Sequence, residues 1–124
     1  MLRLIRIKKR RDFVALQENV EFKASGRHVL ILTKRTDDSY INKNPHVDIS
    51  RNGVVATKKI SKKAVVRNKI KRILRELIRS NADPFVRNVD YEVITKKTLL
   101  QNRFNILQSE FRELLEKIRK YYAK

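Results

Sequence analysis

No cysteine and no tryptophan occur among the 124 residues, and there are only two glycines, two prolines and two histidines. The missing thiols exclude disulfides, thiolate metal sites and cysteine nucleophiles, and they fit a reducing, cytoplasmic setting. Two glycines cannot build a glycine-rich phosphate cradle. His28 falls in an apolar run that reads as a strand and His46 in a polar stretch, so no helical histidine pair is available for metal or acid–base work. No apolar run approaches the ~18 residues that a membrane span needs, so no membrane partner is expected. The first residues alternate apolar and basic side chains and lack the apolar core of a secretory signal.

Acids are scarce as well. Thirteen Asp and Glu stand against 31 Lys and Arg, a formal net charge of +18. Such a chain associates with polyanions. The shortage is sharpest at residues 58–79, where ten Lys or Arg meet one acid, Glu76, giving net +9. From Ala64 onward this stretch has helical periodicity. Val66, Ile70, Ile73, Leu74 and Leu77 share one side, while Arg67, Asn68, Lys71, Arg72, Arg75 and Arg79 lie within about 140° on the other. Lys63, Arg67, Lys71, Arg75 and Arg79 form an i,i+4 ladder of like charges; a like-charge pair at that spacing costs a helix roughly 0.2–0.5 kcal/mol. Lys62 and Lys63 crowd the helix start, the end that favours anions. An ordinary solvated face would mix both signs. Phosphates would relieve both penalties, since they suit helix N-termini and pair with arginine.

The rest of the chain reads as one domain over residues 1–124, with residues 1–9 a flexible basic arm. A short helix is expected over 10–18 with Phe13 and Leu16 on its apolar face, a strand over 28–33, and a long polar loop over 34–50. A second strand follows over 51–58, with Gly53 at a bulge or close approach. The basic helix ends near residue 81, ahead of Pro84, a third strand spans 91–95, and a long last helix carries Leu100, Phe104, Leu107, Phe111, Leu114, Leu115, Ile118 and Tyr122 at helical spacing. Thr98 and Gln101 have capping-box spacing, and Asn102 could instead cap a later start. The order α-β-β-α-β-α predicts an α+β two-layer sandwich, with helices on a small mixed sheet. Asp37, Asp38 and Asp48 are the one candidate metal cluster in the first half, and adjacent loop aspartates are ordinarily solvent-exposed.

No nucleophile–base pair and no carboxylate pair accompany the basic face. The protein is therefore expected to bind nucleic acid without supplying catalytic groups. Nothing suggests a DNA-reading helix-turn-helix, whereas a sheet with Phe13 and Lys58-Lys59 at its edge suits RNA.

Residues Ala64-Val-Val-Arg-Asn-Lys-Ile-Lys-Arg-Ile-Leu-Arg-Glu76 closely resemble the signature helix of the bacterial ribonuclease P protein subunit, roughly Ala-Val-x-Arg-Asn-Arg/Lys-x-Lys-Arg-x-x-Arg. Asp12-Phe13, Arg51-Asn-Gly53, Thr57-Lys58-Lys59 and Asp90-Tyr91 are similar to flanking features of that family. The resemblance implies a left-handed strand–helix–strand crossover and a cofactor-free accessory subunit. Its partners would be the catalytic RNA of ribonuclease P and the 5′ leader of precursor tRNA, with Mg²⁺ in the RNA active site performing hydrolysis. Carried over by position, Arg67, Asn68, Lys69, Lys71, Arg72 and Arg75 would face the catalytic RNA. Phe13, Arg51, Val55, Thr57, Lys58 and Lys59 would line the leader groove. The chain departs from the family pattern by one extra residue between Lys59 and Ala64, by Gln17 and Leu32 in place of frequent aromatics, and by Glu92 where an apolar residue is usual, which predicts an exposed strand face there. The rivals are a structural ribosomal RNA-binding protein without a catalytic partner, and a metal nuclease built on Asp37, Asp38 or Asp48.

Overall fold

The computed structural model describes residues 2–45 and 48–123. His46, expected in a loop, lies outside these. In chain order the elements are β1 (Arg3–Arg6), α1 (Arg10–Glu18), β2 (Phe22–Ser25), β3 (Val29–Arg35), α2 (Asp38–Lys43), β4 (Ile49–Val55), α3 (Ala64–Ser80), β5 (Val89–Thr95), a 3₁₀ turn (Leu99–Gln101) and α4 (Phe104–Tyr122). The strands form one mixed sheet in the order β1-β4-β5-β3-β2. β1, β4 and β5 run parallel, while β3 is antiparallel to both β5 and β2. The α+β class holds, and α3 joins two neighbouring parallel strands.

Strand alternation assigns the faces. Tyr91 and Val93 of β5 sit opposite Asn52 and Val54 of β4 and opposite Thr33 and Ile31 of β3. This face meets Ile70, Leu74, Leu77 and Ile78 of α3 and Leu107, Phe111, Leu114, Leu115 and Ile118 of α4 in one buried cluster. Asp90, Glu92, Arg51 and Gly53 alternate onto the other face. There α1 lies across the sheet: Leu16 is fully buried, and Gln17 hydrogen-bonds Glu92. The two long helices thus cover one face as expected, and the first helix covers part of the opposite one.

Several elements differ from expectation. Part of the N-terminal arm, residues 3–6, is a paired edge strand, with Arg3 N–H donating to Asp48 O at 2.8 Å and Ile7 N–H to Asn52 O at 2.7 Å. Its alternation sends Leu4 toward the main cluster and Ile7, also buried, to the side of α1. β2 was hidden because it is only four residues long, with Ala24 its one buried side chain. The 34–50 loop contains α2, six residues with none buried, and therefore no apolar period to read. β4 spans Ile49–Val55, and residues beyond it turn back through Ile60 N–H to Thr57 O at 3.0 Å. Thr98 does not cap α4: that helix starts at Phe104 without a side-chain cap, and the Thr98 hydroxyl contacts His28 Nδ1 at 2.5 Å.

Candidate nucleic-acid interface

α3 spans the predicted residues, but its buried side is centred further round, toward Ile78, while Val66 and Ile73 are only partly covered. The rotation sorts the cations. Asn68, Lys69 and Arg72 are exposed, and Arg67, Lys71 and Arg75 are half-buried along the edge that leans on the sheet. Arg67 Nη1 donates to Ser61 O at 2.9 Å, and the Lys63 N–H donates to Ser61 Oγ at 3.2 Å, so the linker is tied to the first turn of the helix. Arg79 leaves the ladder, because Glu76 binds it at 2.6 Å and its hydrogen bonds hold the Glu76 carboxyl below the usual range. Arg75 is different. Burial, with the charge of Arg6 from β1, lowers its pKa, and its buried Nε has no partner among the described residues. Two guanidinium groups and an unused donor are what an anion would satisfy.

Beside this edge lies an open cleft of about 620 Å³, walled by Lys8, Arg10, Phe13 and Gln17 from the α1 side, Val54, Val55 and Ala56 from the sheet, and Lys71 from α3, with Glu92 at its base. Phe13 reaches it because Gly53 has no side chain. A Cβ there would collide with Cε1 and Cζ of the Phe13 ring. Thr57, Lys58 and Lys59 are exposed on the turn that follows β4, next to the cleft and outside its wall. Lys8 and Arg10 were missed as wall residues, although the basic run ahead of Phe13 was legible. Gly53→Ala is expected to swing the flexible ring off the sheet and leave the melting temperature little changed. Losing one base–aromatic stack would then weaken single-stranded RNA binding by about tenfold, within the roughly 1–3 kcal/mol such a stack provides. Titrating a short oligoribonucleotide against both proteins checks this.

Arg51 must be withdrawn from the groove. It is 5% exposed, with Nε and Nη2 on Asp90 at 2.9 and 2.6 Å and Nη1 on Asp12 at 3.4 Å. The Tyr40 ring stacks on its guanidinium at 4.4 Å, and Thr36 Oγ1 donates to Asp90 at 2.7 Å. Burial opposes the Arg51 charge, but the hydrogen bonds and charge of Asp90, helped by Asp12, outweigh it and keep its pKa above the ordinary arginine value. Its cation is matched inside the fold and is not free for phosphate. The aspartates of the supposed metal cluster are dispersed: Asp37 pairs with Lys34 at 3.1 Å and Asp48 with Arg87 at 3.2 Å. Among the described residues no group of three or more His, Asp or Glu is placed to hold a metal, and no helix is long and apolar enough to cross a membrane.

Glu92, expected on an exposed face, is fully buried under α1. Gln17 Nε2 donates to its Oε1 at 2.8 Å. Burial raises its pKa, and the Gln17 bond only partly opposes this. A carboxyl whose folded pKa exceeds its unfolded one costs stability wherever it is ionised, from the unfolded pKa upward. Glu92→Gln is therefore expected to raise the melting temperature near neutral pH and to leave it unchanged below about pH 4, where both states are protonated. Thermal unfolding at the two pH values checks this.

The chain is similar to known proteins over most of its length. The family model described as Ribonuclease P matches residues 1–119. The chain is 30% identical over 115 residues to the ribonuclease P protein component of Geotalea uraniireducens, covering 93% of this chain and 91% of that one. It is 31% identical over 112 residues to the counterpart from Syntrophus aciditrophicus, covering 90% and 85%. The solved ribonuclease P protein of Thermotoga maritima superposes with a TM-score of 0.72 at 26% identity, over 90% of this chain and 96% of that one.

Proposed function

The chain belongs to the ribonuclease P protein family, and from that premise we propose that it acts in the cytoplasm as the accessory subunit of the tRNA-processing ribonuclease, gripping two RNA strands and cutting neither. The catalytic RNA lies on the exposed side of α3, held by Asn68, Lys69 and Arg72, with Arg67, Lys71 and Arg75 along the shared edge. The 5′ leader of precursor tRNA runs through the Phe13 cleft, its bases on the ring and Val55, its phosphates near Lys8, Arg10, Lys58 and Lys59, with Thr57 at the exit. The observation that carries this reading is the position of Lys71, which belongs to the basic helix and also walls the cleft. One cation row therefore borders both strands and can hold the leader against the RNA that cleaves it.

Hydrolysis is assigned to the RNA and its own Mg²⁺. The protein supplies charge neutralisation where two polyanions converge, which lowers the Mg²⁺ needed for assembly, and it carries no cofactor. In a reconstitution with a bacterial catalytic RNA and precursor tRNA, the protein is expected to stimulate leader removal strongly at low Mg²⁺. A structural ribosomal protein would give no stimulation. Correct cleavage by the RNA-free polypeptide would overturn the assignment.

A further inference from the structure

A second cavity, of about 400 Å³, opens between β1, the start of α1 and α2. Its size falls within the roughly 300–1,000 Å³ of small-ligand sites. Lys8, Lys9 and Arg11 line it from the α1 side and Lys43 from α2. All four are exposed, and none forms an ion pair among the described residues. The two acids in its wall are already engaged, Asp12 with Arg51 at 3.4 Å and Asp37 with Lys34 at 3.1 Å. Like charges gathered around one cavity, at the end of α1 that disfavours cations, work against the fold. The cavity is therefore charged for something outside the chain. Ile5 and Ile7 give its wall an apolar part, and Tyr40 lines it with the ring held on the Arg51 guanidinium at 4.4 Å.

What fits is a ligand with several negative charges close together and one flat ring. A nucleotide inside an RNA strand brings a single phosphate charge to these cations, whereas a 5′-triphosphate brings several in the same volume. We propose that the cavity receives a nucleoside 5′-polyphosphate, its phosphates on Lys8, Lys9, Arg11 and Lys43 and its base against Tyr40. Two sources carry that group: a free nucleoside triphosphate and the 5′ end of an unprocessed transcript. Lys8 lines both this cavity and the Phe13 cleft. A leader that runs through the cleft and ends shortly beyond it would therefore place its own 5′ end here. The RNA source rests on the leader occupying the cleft, whereas the cavity itself does not.

In the first arm of the test, reconstituted holoenzyme binds precursor tRNAs whose leaders are shortened nucleotide by nucleotide and begin with a 5′-triphosphate, a 5′-monophosphate or a 5′-hydroxyl. At one leader length the triphosphate is expected to tighten binding by about tenfold over the hydroxyl, the scale of hydrogen bonds between charged groups. The monophosphate should fall between them, and on longer leaders the three ends should bind alike. Lys9→Ala combined with Lys43→Ala, at two exposed positions, should remove the preference and leave the hydroxyl-ended precursor unweakened. The second arm titrates guanosine triphosphate into the protein alone. Binding that the double variant abolishes, with no preference among RNA ends, would identify the free nucleotide as the source. Neither a preference nor guanosine triphosphate binding, or either one surviving the double variant, would overturn the proposal. The comparison of RNA ends uses the unaltered protein, so it does not depend on how a variant folds. Absence of any stimulation of the catalytic RNA would instead overturn the functional reading, and the guanosine triphosphate arm, run without RNA, would still decide the cavity.

Discussion

Replacing Lys69, Arg72 and Arg75 together with alanine is expected to weaken assembly with the catalytic RNA on the order of a hundredfold and to flatten its salt dependence. Each phosphate neutralised adds roughly 0.7–0.9 to the slope of log affinity against log salt, so about six contacts predict a slope near 4–5 and the triple variant should lose about 2–3 of it. The substitutions should be tolerated by the fold, since Lys69 and Arg72 are exposed and the Arg75 Nε bonds to nothing among the described residues. Arg112 provides the contrast. Its Nε donates to Asn81 Oδ1 at 2.7 Å, across from the end of α3, so its role is to join the two long helices. Arg67→Ala should weaken the holoenzyme far more than Arg112→Ala. Equal losses, or a wild-type slope near 1, would mean that the RNA lies elsewhere.

Arg51→Met is expected to have the largest effect on the protein alone. Removing the guanidinium leaves the Asp90 carboxylate, 0% exposed, with only the Thr36 hydroxyl among its side-chain partners. Breaking a buried pair by deleting one partner costs about 3–5 kcal/mol, a large share of the roughly 5–15 kcal/mol that holds a domain together. The double variant Arg51→Met with Asp90→Leu should recover most of that loss, because no charge is then left buried. Urea unfolding without RNA measures both. If Arg51→Met unfolded like the wild type and lost only RNA affinity, Arg51 would be a ligand after all.

These two arginine sets show where sequence reasoning holds and where it stops. The α3 cations were legible because ten cations against one acid over residues 58–79 conflict with the helix's own electrostatics, and that conflict is local. Arg51 looked equivalent by charge. Its role depends on Asp90, 39 residues away and its neighbour across the β4–β5 ladder, and on Asp12 from the opposite layer. Glu92 failed in the same way. An acid in a short strand reads as an exposed face unless one knows that α1 crosses over it.

What the amino-acid sequence determined by itself was the set of long periodic elements, the basic face of α3 and the family signature, since each is carried by residues within a helical turn or two of one another. Tertiary structure alone decided that residues 3–6 close the sheet edge, that Phe13 settles on Gly53, that Lys71 borders both proposed RNA paths, and which polar side chains are spent inside the fold. The physical reason is distance along the chain. Periodicity and charge runs are properties of neighbours, but whether a cation or a carboxylate stays free depends on partners that only the packing of the sheet against its helices brings near.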